Sequence, residues 1–507
     1  MMLRHLLRRG FIAAGAAASL SAQPMELGDR LELFVDHELI DQLDQTRLVL
    51  GRPQEKGIAL RFDLPWEKAA NYVTVIKDGD LYRMYYRGCT LTADGEFDPA
   101  TEVTCYAESR DGIQWIKPKL GLHEFRGSRD NNIILGPDSR RVSHNFSPFL
   151  DQRPGVSPAE RFKAVGGVFN DNSAHVPTGV HVATTGGLFR YVSGDGIRWE
   201  LYSTEPIFKG YALDSLNCLA WVPAENNYAI YLRTWSEGGT PEQPAFRGYR
   251  TVSRAVSPDF TTWSTPKPMT FGDTPPENLY TNGTHAYFRA PHLLVALAFR
   301  FQPERAVLSK AEMTEYGVHH TQERGVSDAV LLTSRGGDRY DRTFLESMIR
   351  PGSDRRAWSA RNNAPALGVV PTGANEMSLY LVTHYTQPDC RLVRYALRTD
   401  GFASLEAPYS GGEALTKLFT FKGSKLVLNY STSVAGSVRV ELEDETGQPL
   451  PGFARDDCDE LVGDEIARTV SWRGRTDLSA LASRPIRLRC VMKDANLYSL
   501  QFWPYSL

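Results

Sequence analysis

The sequence predicts an all-β chain, a five-bladed β-propeller followed by a small β-sandwich, and three observations carry that expectation. A corner motif recurs at domain-scale intervals, β-type runs fill the space between its copies, and no segment combines several turns of apolar 3.6-residue periodicity with capping signals. Ser109-Arg-Asp-Gly-Ile-Gln-Trp115, Ser193-Gly-Asp-Gly-Ile-Arg-Trp199 and Ser257-Pro-Asp-Phe-Thr-Thr-Trp263 share the pattern S-x-D-[GF]-x-x-W. Ser334-Arg-Gly-Gly-Asp-Arg-Tyr340 is a degenerate fourth copy and Arg398-Thr-Asp-Gly-Phe402 a weaker fifth. In such a corner Ser and Asp bond backbone amides, Gly accepts a positive φ, and the aromatic packs between sheets.

Taken in order, the chain opens with an export signal over 1–23. Basic MLRHLLRR precedes the apolar, small-residue run FIAAGAAASL and Ser21-Ala22-Gln23. Arg8-Arg9-Gly10-Phe11-Ile12 resembles the twin-arginine export motif, although a plain basic leader contains the same pair. An N-terminal strand is expected over Leu31 to Ile40. The propeller is expected over 24–410, with blades at 67–120, 141–205, 211–268, 278–348 and 372–408. Runs such as Asn71-Tyr-Val-Thr-Val-Ile76, Leu81-Tyr-Arg-Met-Tyr-Tyr86, Asn227-Tyr-Ala-Ile-Tyr-Leu232 and Leu293-Leu-Val-Ala-Leu-Ala298 supply about one four-stranded sheet per corner. Radial repetition of four-stranded sheets makes a propeller whose inner strands line an axial pocket. A sandwich is the competing architecture, but sandwiches do not usually repeat one corner at such intervals.

After Gly411-Gly412 the pattern shortens to alternating strands at 425–430, 437–442, 467–472, 486–491 and 497–502, with turns at Glu445-Thr-Gly-Gln and Pro451-Gly452. This predicts the sandwich over 411–507. Six cysteines, Cys89, Cys105, Cys218, Cys390, Cys458 and Cys490, lack CxxC spacing, which argues against a thiolate zinc site. Either Cys89 with Cys105 or Cys458 with Cys490 can form a disulfide in an oxidising compartment, and buried free thiols are the alternative. A net charge of -3 gives no global field for nucleic acid or an anionic membrane. No stretch after the leader reaches membrane-spanning length. The expected partner is a carbohydrate, and without HExxH, EF-hand or clustered His/Cys motifs no metal or other cofactor is expected.

The corners, the five sheets and the C-terminal sandwich together resemble the five-bladed propeller glycosidases, the sucrose- and fructan-cleaving family thirty-two and the arabinan- and xylan-cleaving family forty-three. Tyr82-Arg-Met-Tyr-Tyr-Arg87 and Leu213-Asp-Ser-Leu-Asn217 are similar to stretches in an exported bacterial branch labelled by analogy with family thirty-two or with sialidases. The resemblance implies a propeller glycosidase. The chain lacks the Asn-Asp-Pro-Asn, Arg-Asp-Pro and Glu-Cys elements of family thirty-two, which argues against fructosidase activity, and it is too short for the six blades of sialidases.

Glycoside hydrolysis ordinarily needs two carboxyl groups facing each other across the scissile bond. In a propeller such groups are expected where inner strands begin. Asp214 opens blade three, Glu376 occupies the equivalent place in blade five, and blade one offers Glu67 and Asp63; these four are the expected catalytic acids. Each has a plain structural alternative, an Asx turn, a solvated strand end or a surface loop. His144 and Asn145 in blade two, Asn282 and His285 in blade four, and Arg233 and Arg335 are the expected substrate-binding residues, with Arg350 a further cation for an acidic sugar. Core, turn or salt-bridge roles compete for each. Two further functions are open: a non-catalytic carbohydrate-binding propeller, and a polysaccharide lyase with a Tyr/His or Lys base, for which His144 and His285 are the candidates.

Overall fold

The computed structural model describes residues 23–139, 143–167 and 187–504, so the expected leader lies outside the described residues apart from its final position. Five antiparallel sheets follow one another along the chain as the blades of a propeller. Blade one contains Asn71–Asp78, Leu81–Gly88, Val103–Ser109 and Ile133–Leu135, in that spatial order. Blade two begins at Ser147–Leu150, blade three at Cys218–Val222 and blade four at Leu279–Thr281. The second strands are buried along both faces, as with Tyr228 to Leu232, because each blade is sandwiched between two others.

The repeated corner does what its residues predict. In blade one Ser109 Oγ accepts the Gly112 N–H (2.9 Å), and Asp111 Oδ1 accepts those of Ile113 (2.7 Å) and Gln114 (2.8 Å). Blade two repeats these bonds with Ser193 and Asp195, and blade three repeats the carboxylate bonds with Asp259. The fourth position is left-handed in all three, with φ of 72° at Gly112, 73° at Gly196 and 65° at Phe260. Its carbonyl is then gripped by a neighbouring blade: Tyr380 OH donates to Gly112 O (2.5 Å), Tyr85 OH to Gly196 O (2.9 Å) and Arg190 Nη1 to Phe260 O (2.8 Å). The corner is thus also the inter-blade joint.

Two boundaries differ from expectation. Blade five begins at Ala364–Pro365 and Val370–Pro371, so Glu376 starts its second strand, Glu376–Thr383, rather than its inner one. Pro365, Gly368 and Pro371 disguise the inner strand, since proline removes ladder donors and glycine weakens strand propensity. The outermost strand of blade five is Gln54–Arg61, paired with Arg391–Arg398, so the first propeller segment closes the ring against the last.

The second difference concerns the sandwich, expected to be C-terminal alone. Four N-terminal strands join it: Met25–Gly28 runs parallel to Phe419–Phe421, Glu32–Leu33 pairs with Arg487–Trp503, Ile40–Asp44 with Gly412–Thr416, and Arg47–Leu50 with Ala403–Ala407. The sandwich therefore uses 25–50 and 403–503, and the propeller 54–398. Lys425–Glu443 is one strand rather than two; it bends where Gly436 packs against the Asp494 carbonyl, which lies 2.3 Å from an added Cβ. Leu426, Leu428, Val440, Trp472, Leu488 and Phe502 are among its core side chains. The fifth motif copy is a latch between the two units. Asp400, fully buried, accepts from Tyr287 OH (2.7 Å) and Arg289 Nη1 (2.5 Å) of blade four and from Asn429 Nδ2 (3.0 Å) and Ser499 Oγ (2.8 Å) of the sandwich. All six cysteines are buried free thiols.

Candidate functional site

The five blade entries bring Tyr72, Asn145, Asp214, Tyr280 and Arg361 to one end of the propeller, each within or just before the first strand of its blade. Three of them hold left-handed backbone without being glycine: Tyr72 (φ 53°), Asn145 (φ 52°) and Arg361 (φ 60°). Such conformations cost about 1 to 3 kcal/mol each and persist where the surroundings over-determine them. The Asp214 turn is one such framework. Ser215 N–H bonds Leu213 O (2.7 Å), Asn217 Nδ2 bonds Leu213 O (2.9 Å), and Ser215 Oγ bonds the Tyr280 carbonyl (2.9 Å), fixing the turn to blade four.

Asp214 is held by donors on one oxygen. His144 Nε2 lies 3.0 Å and Asn145 Nδ2 3.1 Å from Asp214 Oδ1, while its side chain remains 36% exposed. Oδ2 has no partner among the described residues and is free for a ligand. His144 Nδ1 lies 2.8 Å from Glu102 Oε1, so the buried imidazole bridges two carboxylates. Burial disfavours its charge, but Glu102 and Asp214 outweigh this and raise its pKa to about 9. Burial likewise disfavours an ionised Asp214, but the His144 bond and the charges of His144, Arg233 and Arg87 hold its carboxyl well below the ordinary range. Arg87 Nη1 donates to Asn145 Oδ1 (3.1 Å), which orients the amide so that its NH₂ faces Asp214.

Around this carboxylate stand four arginines. Arg233 reaches 5.9 Å and Arg250 5.2 Å from the Tyr280 ring centroid, Arg87 lies 4.5 Å over the Tyr72 ring, and the charge of Arg361 acts on Tyr280, Tyr385, Tyr72 and Asp214. None of the four forms a salt bridge among the described residues. The cations split two tyrosines. Burial opposes ionisation of Tyr280, yet Arg361, Arg250 and Arg233 bring its phenol below the usual range. Burial, with the neighbouring Tyr280 and Asp214, pushes Tyr72 well above it.

Of the expected catalytic acids, Asp214 alone stands here. Glu376 is a strand-two residue paired with Arg394 Nη1 (2.8 Å), and it lines a groove between propeller and sandwich with Arg47, Gln54 and Arg398. Glu67 is fully buried among Tyr86 OH (2.6 Å), Lys117 Nζ (2.6 Å) and Leu64 N–H (3.0 Å), and exposed Asp63 pairs with Lys117 (3.0 Å). Both serve the blade-one entry. His144, Asn145 and Arg233 belong to the site. Asn282 is a buried inter-blade staple, donating to Tyr231 O (3.2 Å) and accepting from Thr284 N–H (3.0 Å). His285 accepts the Val369 N–H (3.1 Å) and contacts Gly283 O (3.0 Å), and burial lowers its pKa, so it joins blades four and five as a neutral imidazole. Arg335 clamps Glu32 (2.8 Å) and Asp36 (3.0 Å) of the N-terminal segment, and exposed Arg350 lines a separate surface pocket.

Tyr72, Arg87, Glu102, Arg250, Tyr280, Arg361 and Tyr385 were not singled out from the sequence. Tyr280 stands two residues before the noted Asn282, and Arg361 precedes the disguised strand of blade five. Arg87 and Arg250 sit on later strands, so no blade-entry rule finds them. Among the described residues no group of three His, Cys, Asp or Glu side chains is placed to hold a metal, and no helix is long and apolar enough to cross a membrane.

No family model matches the sequence, and no curated protein matches it. Among solved structures, a glycoside hydrolase is similar at 11% identity and a TM-score of 0.45, over 68% of this chain and 92% of that one. A family forty-three arabinoxylan arabinofuranohydrolase from Bacillus subtilis, in complex with cellotetraose, is similar at 11% identity and a TM-score of 0.37, over 87% and 97%. An N-acetylgalactosamine deacetylase from F. plautii, in complex with blood group B trisaccharide, is similar at 11% identity and a TM-score of 0.42, over 71% and 97%. Likeness at this level assigns the chain no activity.

Proposed function

We propose that this chain breaks a glycosidic bond in a carbohydrate held at the axial site, with Asp214, Tyr280 and Tyr72 touching the sugar. One observation carries the proposal: a partly exposed carboxylate with a free oxygen shares its site with two tyrosines whose environments push their proton affinities apart. Such splitting is how one site holds both an acid and a base or nucleophile. Among the described residues no second free carboxylate joins Asp214 here, so the two-carboxylate scheme is replaced by a carboxylate with a tyrosine pair. A tyrosine nucleophile is an established variant of glycoside hydrolysis.

In hydrolysis the ionised form of Tyr280, which the neighbouring arginines favour, attacks the anomeric carbon as the bond to the leaving oxygen breaks, and Tyr72 gives that oxygen its proton. Neutralising Tyr280 removes a charge that raises Tyr72, which makes Tyr72 a stronger acid at that moment. Water then attacks the glycosyl-tyrosine, returns a proton to Tyr72 and releases Tyr280. Asp214 Oδ2 stabilises the positive charge that develops on the sugar. His144 has both nitrogens occupied and is a positioning residue.

A second reaction fits the tyrosine pair: elimination, in which Tyr280 removes the proton beside a sugar carboxylate and Tyr72 protonates the departing oxygen, leaving a double bond. We also propose that the chain is exported, on the strength of its basic and apolar N-terminal run; accumulation of the protein in the cytoplasm of its host would overturn this.

The test is product analysis on a panel of plant and algal polysaccharides with residues 24–507. New reducing ends without ultraviolet absorbance identify hydrolysis, and absorbing ends identify elimination. In either case Asp214→Asn and Tyr280→Phe lower the rate by about 100-fold or more. Retention of a polysaccharide without cleavage would make the chain a binding module and contradict the proposal.

A further inference from the structure

We infer that the axial site selects a sugar bearing an anionic group, a carboxylate or a sulfate ester, and that Arg233, Arg250 and Arg361 receive that group. This rests on the axial site being the sugar site, and it specifies the class of sugar.

Positive charge at the site exceeds negative charge among the described residues. Arg87, Arg233, Arg250, Arg361 and protonated His144 face Asp214 and Glu102. His144 is already spent between those two carboxylates, and Arg87 is committed through both terminal nitrogens to Asn145 and Tyr385 OH (3.1 and 3.2 Å). The other three have no carboxylate partner. Arg233 makes one long bond, from Nε to Ala212 O (3.3 Å). Arg250 stacks on Trp235 (4.6 Å) and Phe301 (5.3 Å), and its Nε is buried without a partner. Unmade bonds to a buried cation are expensive, and an anionic group would supply them. Mutual repulsion shows as well: burial, together with the charges of Arg233 and Arg361, brings Arg250 down to about 10, far below an ordinary guanidinium.

An oxyanion relieves all of this at once. A planar guanidinium matches carboxylate and sulfate oxygens in a bidentate way. With a net chain charge of -3 the molecule has no global positive field, so attraction of an anion relies on local clusters such as this one. The same arginines favour ionisation of Tyr280, so the anionic group is bound beside the reacting atom. A neutral sugar leaves three guanidiniums desolvated and unpaired, which discriminates against it.

The test measures retention on affinity gels, with calorimetry on fragments, using the Tyr280→Phe chain so that turnover does not intervene. The probes are pectin, alginate and glucuronoxylan, each beside its carboxyl-reduced form, and carrageenan beside its desulfated form. At least one acidic polymer is expected to bind about tenfold or more tighter than its neutral counterpart, and which pair does so separates carboxylate from sulfate. Arg250→Met or Arg361→Met, each confirmed folded by thermal melting, abolishes that preference, so that the acidic polymer binds no tighter than its neutral counterpart. Equal binding of every acidic and neutral pair, or a preference that survives both arginine substitutions, overturns the inference. Preferential binding without cleavage by the wild-type chain would instead remove the bond-breaking proposal and leave anion selection standing.

Discussion

His144 shows how a single residue reports on the site. Held between Glu102 and Asp214, it stays protonated up to about pH 9, against about 6.5 in the unfolded chain. The folded pKa is raised, so its contribution to stability is complete below about pH 6.5 and is lost as the pH rises through about 9. The melting temperature of the wild type should therefore fall across that window more steeply than that of His144→Gln. Parallel curves would mean that His144 is not protonated in the folded state. Activity should fall on the same alkaline limb, because neutral His144 keeps a single N–H for the two carboxylates it bridges, Glu102 and Asp214. Asp214 was legible from sequence because an acid before an apolar strand is conspicuous. Arg250 was not, since an arginine in mid-strand looks like any solvated strand position until the Trp235 and Tyr280 rings are known to enclose it.

At the level of the element, the corner motif was fully legible, because its bonds are local: every donor and acceptor lies within six residues. The joint between blades was not, because Tyr85 and Tyr380 reach it from other sheets. Gly196 combines both aspects. Its φ of 73° suits glycine, and a Cβ added there would come within 2.7 Å of the Tyr85 hydroxyl. Gly196→Ala should destabilise the chain by about 2 kcal/mol, read from denaturant midpoints, with Tyr85→Phe costing about 1 kcal/mol. If Gly196→Ala is neutral, the corner is not the inter-blade joint. Blade five illustrates the opposite limit. Pro365 and Pro371 erased the period-two signal of its inner strand, so the register was read one strand too late and Glu376 replaced Arg361 as the entry residue.

The whole molecule is closed twice by its own N-terminal segment, which supplies strands to the sandwich and then the rim of blade five. Neither closure was visible in the sequence, since pairing partners hundreds of residues apart leave no local trace. The propeller and sandwich are therefore expected to unfold together, with Asp400 as the central latch. Asp400→Asn strands the Arg289 charge and weakens the bonds to Asn429 and Ser499, costing about 3 kcal/mol. Calorimetry should show one transition for the wild type and two for this variant; two transitions in the wild type would show that the units are thermodynamically independent. The ring also gives the site its geometry, because each blade delivers one entry residue to a common axis. A crystal structure of the Tyr280→Phe chain soaked with an acidic oligosaccharide that it retains addresses this directly. The sugar is expected at the axis, its anionic group on Arg250 and Arg361 and its reacting carbon about 3 to 4 Å from the position of the missing hydroxyl. A sugar lodged instead in the groove beside Glu376 and Arg398, with the axis empty, would contradict the account.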